Sequence, residues 1–171
     1  MSQLLTLLNR LKAEARVERL TDSQQTVWHS IQQQLRFPER INLFGTVGSG
    51  KTFLAWALAN DQNAVYFVSP EALFRSNFIN ESSQLIIVDN GVIDTVELRR
   101  LLAELQMRNG RSALIITRHP NQIGLPLVHL PLPTSQDITI AYRNLSLLEK
   151  YALPPLTEGN MWQIVKSTFS M

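Results

Sequence analysis

The sequence predicts an α/β fold in which a parallel five-stranded sheet is wrapped by helices. From Ile41 onward, short apolar runs alternate with helical stretches, the pattern of strands joined by helical crossovers. Five such runs stand at 41–44, 64–68, 85–88, 113–116 and 127–130, each ahead of a turn or a helical pattern. A glycine-rich stretch separates the first run from the helical segment 53–59, so a tight loop there must join a buried strand to a helix N-terminus.

The remaining elements follow in order. Leu4, Leu8, Leu11 and Ala15 fall at helical spacing, and Asp22 or Ser23 is placed to cap a helix over 24–36, which Pro38 closes off. The clearest helix covers 92–107, carries Val96, Leu98, Leu101, Leu102 and Leu105, and stops at Asn109-Gly110. A last helix over 136–151 ends before Pro154-Pro155, and 156–171 reads as a short packed extension around Trp162. The organisation expected is an N-terminal helical extension (1–40), a core (41–134) and a short C-terminal helical extension or truncated lid (135–171).

Composition bounds the possibilities. A chain of 171 residues with 44% hydrophobic content fits one domain with a real core. No apolar run approaches the length of about eighteen residues that a membrane span needs, and the start of the chain lacks the plan of a signal peptide, so a cytoplasmic protein is expected. The absence of cysteine excludes disulfides and thiolate metal sites. Net charge is only +2, but twelve of the sixteen basic residues are arginine, the side chain best suited to forked contacts with anions. On charge alone an ordinary solvated surface is the better account, since a nucleic-acid signal would be a dense basic patch.

The glycine-rich stretch is Gly45-Thr46-Val47-Gly48-Ser49-Gly50-Lys51-Thr52, which meets G-x-x-x-x-G-K-[ST] at every fixed position. Glycines let the backbone curl so that successive N–H groups converge on phosphate oxygens, and the positive end of the following helix adds to the attraction. In this pattern Lys51 reaches the β- and γ-phosphates of a nucleoside triphosphate and the Thr52 hydroxyl holds magnesium. The expected ligands are therefore ATP and Mg2+.

Leu85-Ile-Ile-Val-Asp89 is an apolar run ending in an acid, as suits a buried strand delivering one carboxylate beside the loop, so Asp89 is the expected partner of the magnesium, through a coordinated water. Many hydrolytic phosphate-loop proteins place a glutamate next, to polarise the attacking water. Here Asn90 stands instead, and an amide can hold a water but cannot accept its proton, so hydrolysis should be slow. Asp94 and Glu97 are nearby acids, better read as capping and solvating the next helix. Thr117 ends the fourth run. If that strand lies between the first and third, its hydroxyl is expected near the γ-phosphate. Arg118 could touch phosphate, face a partner or lie in solvent, while His119, with no companion at metal-ligand spacing, reads as a loop residue.

The order of these motifs resembles the initiator and helicase-loader clade of AAA+ ATPases. The resemblance covers about 41–151 and rests on the phosphate loop, on Ala64-Val-Tyr-Phe-Val-Ser-Pro-Glu-Ala-Leu-Phe74, on 85–90 and on Leu114-Ile-Ile-Thr-Arg-His-Pro120. It implies a three-layer P-loop NTPase sandwich with strand order 5-1-4-3-2, ATP as ligand, and regulation or loading of a protein partner on DNA. This chain departs from the clade in having no arginine between Arg118 and Arg143, where an arginine would complete a neighbouring subunit's site, and in a C-terminal lid reduced to 136–171 with Arg143, Lys150 and Lys166 its only basic residues. These departures imply a monomer or dimer rather than a self-sufficient ring, and a slow or partner-activated ATPase serving replication, recombination or mobile-element machinery. Gln3-Leu4-Leu5-Thr6-Leu7-Leu8 is also similar to the peptides that dock on the bacterial sliding clamp, although the same leucines suit a helix packed on the domain. Two other readings stay open: a small P-loop kinase, and a scaffold that retains nucleotide for stability.

Overall fold

The computed structural model describes residues 3–149, apart from 63, 82, 83, 92 and 93. The order of elements is α1 (Gln3–Ala13), a 3-10 turn (Val17–Arg19), α2 (Asp22–Gln34), β1 (Arg40–Phe44), α3 (Lys51–Gln62), β2 (Val65–Phe67), α4 (Pro70–Arg75), β3 (Ile86–Val88), α5 (Thr95–Met107), β4 (Ala113–Thr117), β5 (Leu127–His129) and α6 (Ser135–Glu149). Trp162, Lys150, Lys166 and the extension 156–171 lie outside the described residues.

All five strands pair in parallel, in the order β2-β3-β4-β1-β5, which counted from the β5 edge runs 5-1-4-3-2. β4 sits between β1 and β3, pairing Ile41 with Leu114 on one side and Ile87 with the same Leu114 on the other. Successive side chains alternate across the sheet. Ile41, Leu43, Ile87, Leu114 and Ile116 face one side, where they form a buried core with Leu54, Ala55 and Leu58 of α3 and Val27 and Ile31 of α2. Ile86, Val88, Ala113 and Ile115 face the other, against Leu73 of α4 and Leu98, Leu101 and Leu105 of α5. Helices thus cover both faces, as in a three-layer α/β sandwich.

Several boundaries differ from those the sequence predicts. α2 starts at Asp22 and not at 24, because Thr21 is the N-cap: its hydroxyl accepts the Gln24 N–H while the Gln24 side chain accepts the Thr21 N–H, a reciprocal capping box. α5 starts at Thr95 and not at 92, since the Asp94 carboxylate caps the N–H groups of Val96 and Glu97. β2, β3 and β5 are three-residue strands, shorter than the apolar runs that contain them, because the ladder of β2 on β3 spans only Val65–Phe67 against Ile86–Val88. β4 extends one residue further, to Thr117, which pairs with Phe44.

The N-terminal helices are built into the molecule. Ala15, Leu20, Val27 and Ile31 belong to the same buried cluster as β1 and α3, with Trp28 packed against it. Leu7 and Leu11 of α1 are buried with Leu145 of α6, against Phe53 and Trp56 on α3. Leu7, Leu8 and Leu11 are therefore packing residues of an amphipathic helix, while Leu5 is exposed.

Candidate functional site

A parallel sheet brings the C-terminal ends of its strands to one edge, and crevices open where neighbouring strands send their helices to opposite faces. Here β1 leads to α3 on one face and β3, on the far side of β4, leads to α5 on the other. The Gly45–Thr52 loop, Asp89 and Thr117 all emerge at that edge.

The loop's shape explains its glycines. A Cβ on Gly45 would stand 2.4 Å from the Leu130 carbonyl oxygen, so only glycine lets the chain leave β1 past the end of β5. Gly50, with φ of 91°, turns the chain through the left-handed region into α3, and Gly48 does the same at 85°. Lys51 begins α3 and folds back over the loop. Its ammonium donates to the carbonyls of Gly45 (2.5 Å) and Thr46 (2.7 Å) and to Ser49 Oγ (3.3 Å). Burial lowers its pKa from 10.5; the Asp89 charge works against this and the Arg118 charge adds to it. Arg118 therefore acts on the same locality, although its side chain is exposed.

Thr52 and Asp89, thirty-seven residues apart in sequence, meet directly: Thr52 Oγ1 donates to Asp89 Oδ2 at 2.8 Å. Asp89 follows Ile87 in the pleat, which turns it toward α3. The carboxylate is 3% exposed. Tyr66 of β2, on the same face, also donates its hydroxyl to Oδ2 at 2.8 Å, and the Asn90 N–H donates to Oδ1 at 2.7 Å. Burial, the Asp89 charge and this hydrogen bond together push the Tyr66 pKa far above its usual range, so the phenol stays a donor.

Asn90 has φ of 49° and gives its side-chain N–H to the Val68 carbonyl at 3.0 Å. It is the residue type best suited, after glycine, to a left-handed turn. Its amide is thus engaged with the end of β2.

Thr117 does not join this cluster. It follows Ala113 and Ile115 in the pleat and so lies on the α5 face, opposite Asp89. Its hydroxyl donates to the His119 carbonyl at 2.6 Å and accepts from Asn42 Nδ2 at 2.8 Å. Asn42, buried in the middle of β1, accepts in turn from the Asn121 backbone N–H at 2.9 Å. This network satisfies buried polar groups and fixes the turn from β4 toward β5. β4 does lie between β1 and β3, and the Thr117 hydroxyl at its end is engaged with Asn42 and the His119 carbonyl. His119 is exposed, in keeping with a loop residue.

Two residues at the site were not singled out from sequence. Tyr66 gave no local signal, since a tyrosine in a strand is ordinary. Gln24, 1% exposed, donates its side-chain N–H to the Gly50 carbonyl at 3.0 Å while its oxygen completes the α2 cap. The spacing Thr21-x-x-Gln24 is a capping-box signature and would have located it.

The donor set suits a hard cation only in part. Among the described residues no group of three or more His, Asp or Glu could hold a metal by itself. A hydroxyl and one buried carboxylate are what magnesium uses when phosphate oxygens and water complete its shell. No known family model matches the chain, and a comparison with functionally described proteins likewise finds no match. No helix among the described residues is long and apolar enough to cross a membrane.

Proposed function

We propose that this chain binds the magnesium complex of a nucleoside triphosphate, ATP by the family resemblance, and acts as a slow switch. The observation that carries this reading is the meeting of Thr52 and Asp89 at 2.8 Å beside the Gly45–Thr52 loop, with Lys51 folded across that loop. The motif and its surroundings agree: a strand precedes it, a twelve-residue helix follows, and the acid arrives from β3.

Each residue then has a task. The curled backbone of Gly45, Thr46, Val47, Gly48, Ser49 and Gly50 receives phosphate oxygens, and Lys51 exchanges its two carbonyl contacts for them. Asp89 accepts a hydrogen bond from the Thr52 hydroxyl, and Thr52 and Asp89 are the residues that would hold magnesium. Magnesium held there would supply positive charge that neutralises the phosphates. Asn90 provides no base, and its amide is already committed to Val68 O, so turnover by the isolated chain is slow. Arg118, exposed at the end of β4, is an arginine whose charge acts on Lys51.

The resemblance to AAA+ initiators and helicase loaders supports a role in DNA transactions through a partner protein. Nucleotide analysis of the purified protein, with a hydrolysis time course with and without DNA, tests this. Bound ATP with slow release of ADP and phosphate, quickened by a partner on DNA, is the expected outcome. Transfer of phosphate to a small metabolite would make the chain a kinase, and a stable complex giving no product would make it a scaffold.

A further inference from the structure

We infer that Tyr66 is a positioning residue for the metal-linked carboxylate Asp89, an inference that rests on the proposed nucleotide site. Asp89 is a buried anion whose three hydrogen-bond donors, the hydroxyls of Thr52 and Tyr66 and the Asn90 N–H, are all neutral. The carboxylate is therefore oriented by neutral donors and forms no ion pair with them, while the Lys51 ammonium lies within its field. Two of the donors are fixed by the site itself, one opening the helix after the loop and the other following Asp89 in the chain. Tyr66 is different. It comes from β2, and its 2.8 Å bond to Oδ2, the oxygen that Thr52 also uses, ties the carboxylate to the neighbouring strand.

The tyrosine is itself held from two sides. Trp56 in α3 and the Tyr66 ring form a T-shaped pair, with centroids 6.5 Å apart and planes at 65°, and the Lys12 ammonium lies 5.1 Å from the Tyr66 centroid. Lys12 belongs to α1, whose C-terminal carbonyl at Lys12 accepts from Asn60 of α3. The ring thus has contacts beyond its hydroxyl, and Tyr66→Phe keeps the ring that makes them. A residue that orients a metal ligand in this way acts on metal affinity, and losing such a residue typically weakens it by about 10- to 100-fold.

Tyr66→Phe tests this, with ATP binding measured by calorimetry in magnesium and in excess EDTA. Wild type should bind more tightly with magnesium, and Tyr66→Phe should lose about tenfold or more of that affinity while its EDTA affinity stays unchanged. Placing 4-aminophenylalanine at position 66, which restores a donor on the same ring, should recover the magnesium effect. Equal losses in both buffers, or a Tyr66→Phe protein that keeps the full magnesium effect, would overturn the assignment while leaving the nucleotide site standing. Wild-type protein that binds ATP in neither buffer would overturn the proposed function and this inference with it.

Discussion

Asn90 shows why a single position can carry two meanings. Read as chemistry, it stands where a glutamate would polarise water. Read as geometry, it holds a φ of 49° and bonds to Val68 O, two tasks that asparagine performs better than glutamate. Asn90→Glu should therefore have separable effects. Stability should fall by about 1 kcal/mol from the left-handed backbone, an effect that denaturant unfolding measures and that Asn90→Gly should largely avoid. Single-turnover hydrolysis should rise, by roughly a hundredfold where the geometry is right, without tighter ATP binding. No gain in rate even with a partner present would move the limit to the missing arginines.

At the scale of elements, α6 is fastened to the site through α2. Asp137, fully buried, accepts from the backbone N–H and the hydroxyl of Ser23 in the first turn of α2, and from the N–H and hydroxyl of Thr134 at its own helix start. Gln136 reaches Asp22, and Gln24 carries the connection on to Gly50 O in the loop. Burial disfavours ionisation of Asp137, but the bonds from Ser23 and Thr134 outweigh it and hold the pKa at about 2, below the ordinary 3.8. Because the folded pKa is depressed, its contribution is fully present above 3.8 and is lost as pH falls toward about 2. Asp137→Asn should then be less stable than wild type at neutral pH by on the order of 1–2 kcal/mol. The two should converge on acidification through that window, as thermal melts across pH would record. A constant difference down to the lowest pH would contradict the assignment.

Over the whole molecule, hydrophobic periodicity made most of the architecture legible. Five apolar runs became five parallel strands, the central three, β1, β3 and β4, buried on both faces of the sheet and the edge strands β2 and β5 only in part. The loop and Asp89 were legible because a local motif and a strand end announce them. What stayed hidden depends on side chains meeting across distance. Tyr66 reaches Asp89 from a neighbouring strand, Gln24 reaches Gly50 from a helix read as an appendage, and the pleat turns Thr117 to the opposite face. Of the three, Gln24 alone sits in a local motif, and that capping box announces the helix start and not its reach to the loop.

The absence of any arginine between Arg118 and Arg143 predicts that the isolated protein stays a monomer or dimer with ATP. Light scattering that found a closed ring with brisk turnover would contradict this.

The most direct measurement of the central claim is calorimetric titration of ATP in magnesium into wild type and Lys51→Ala. The substitution leaves the loop's backbone N–H groups but removes the one ammonium folded across it. Wild type should bind, and Lys51→Ala should bind about 100-fold more weakly or not at all, the loss of charged hydrogen bonds each worth a factor of ten or more. Equal affinity in the two proteins, or no binding by wild type, would contradict the account.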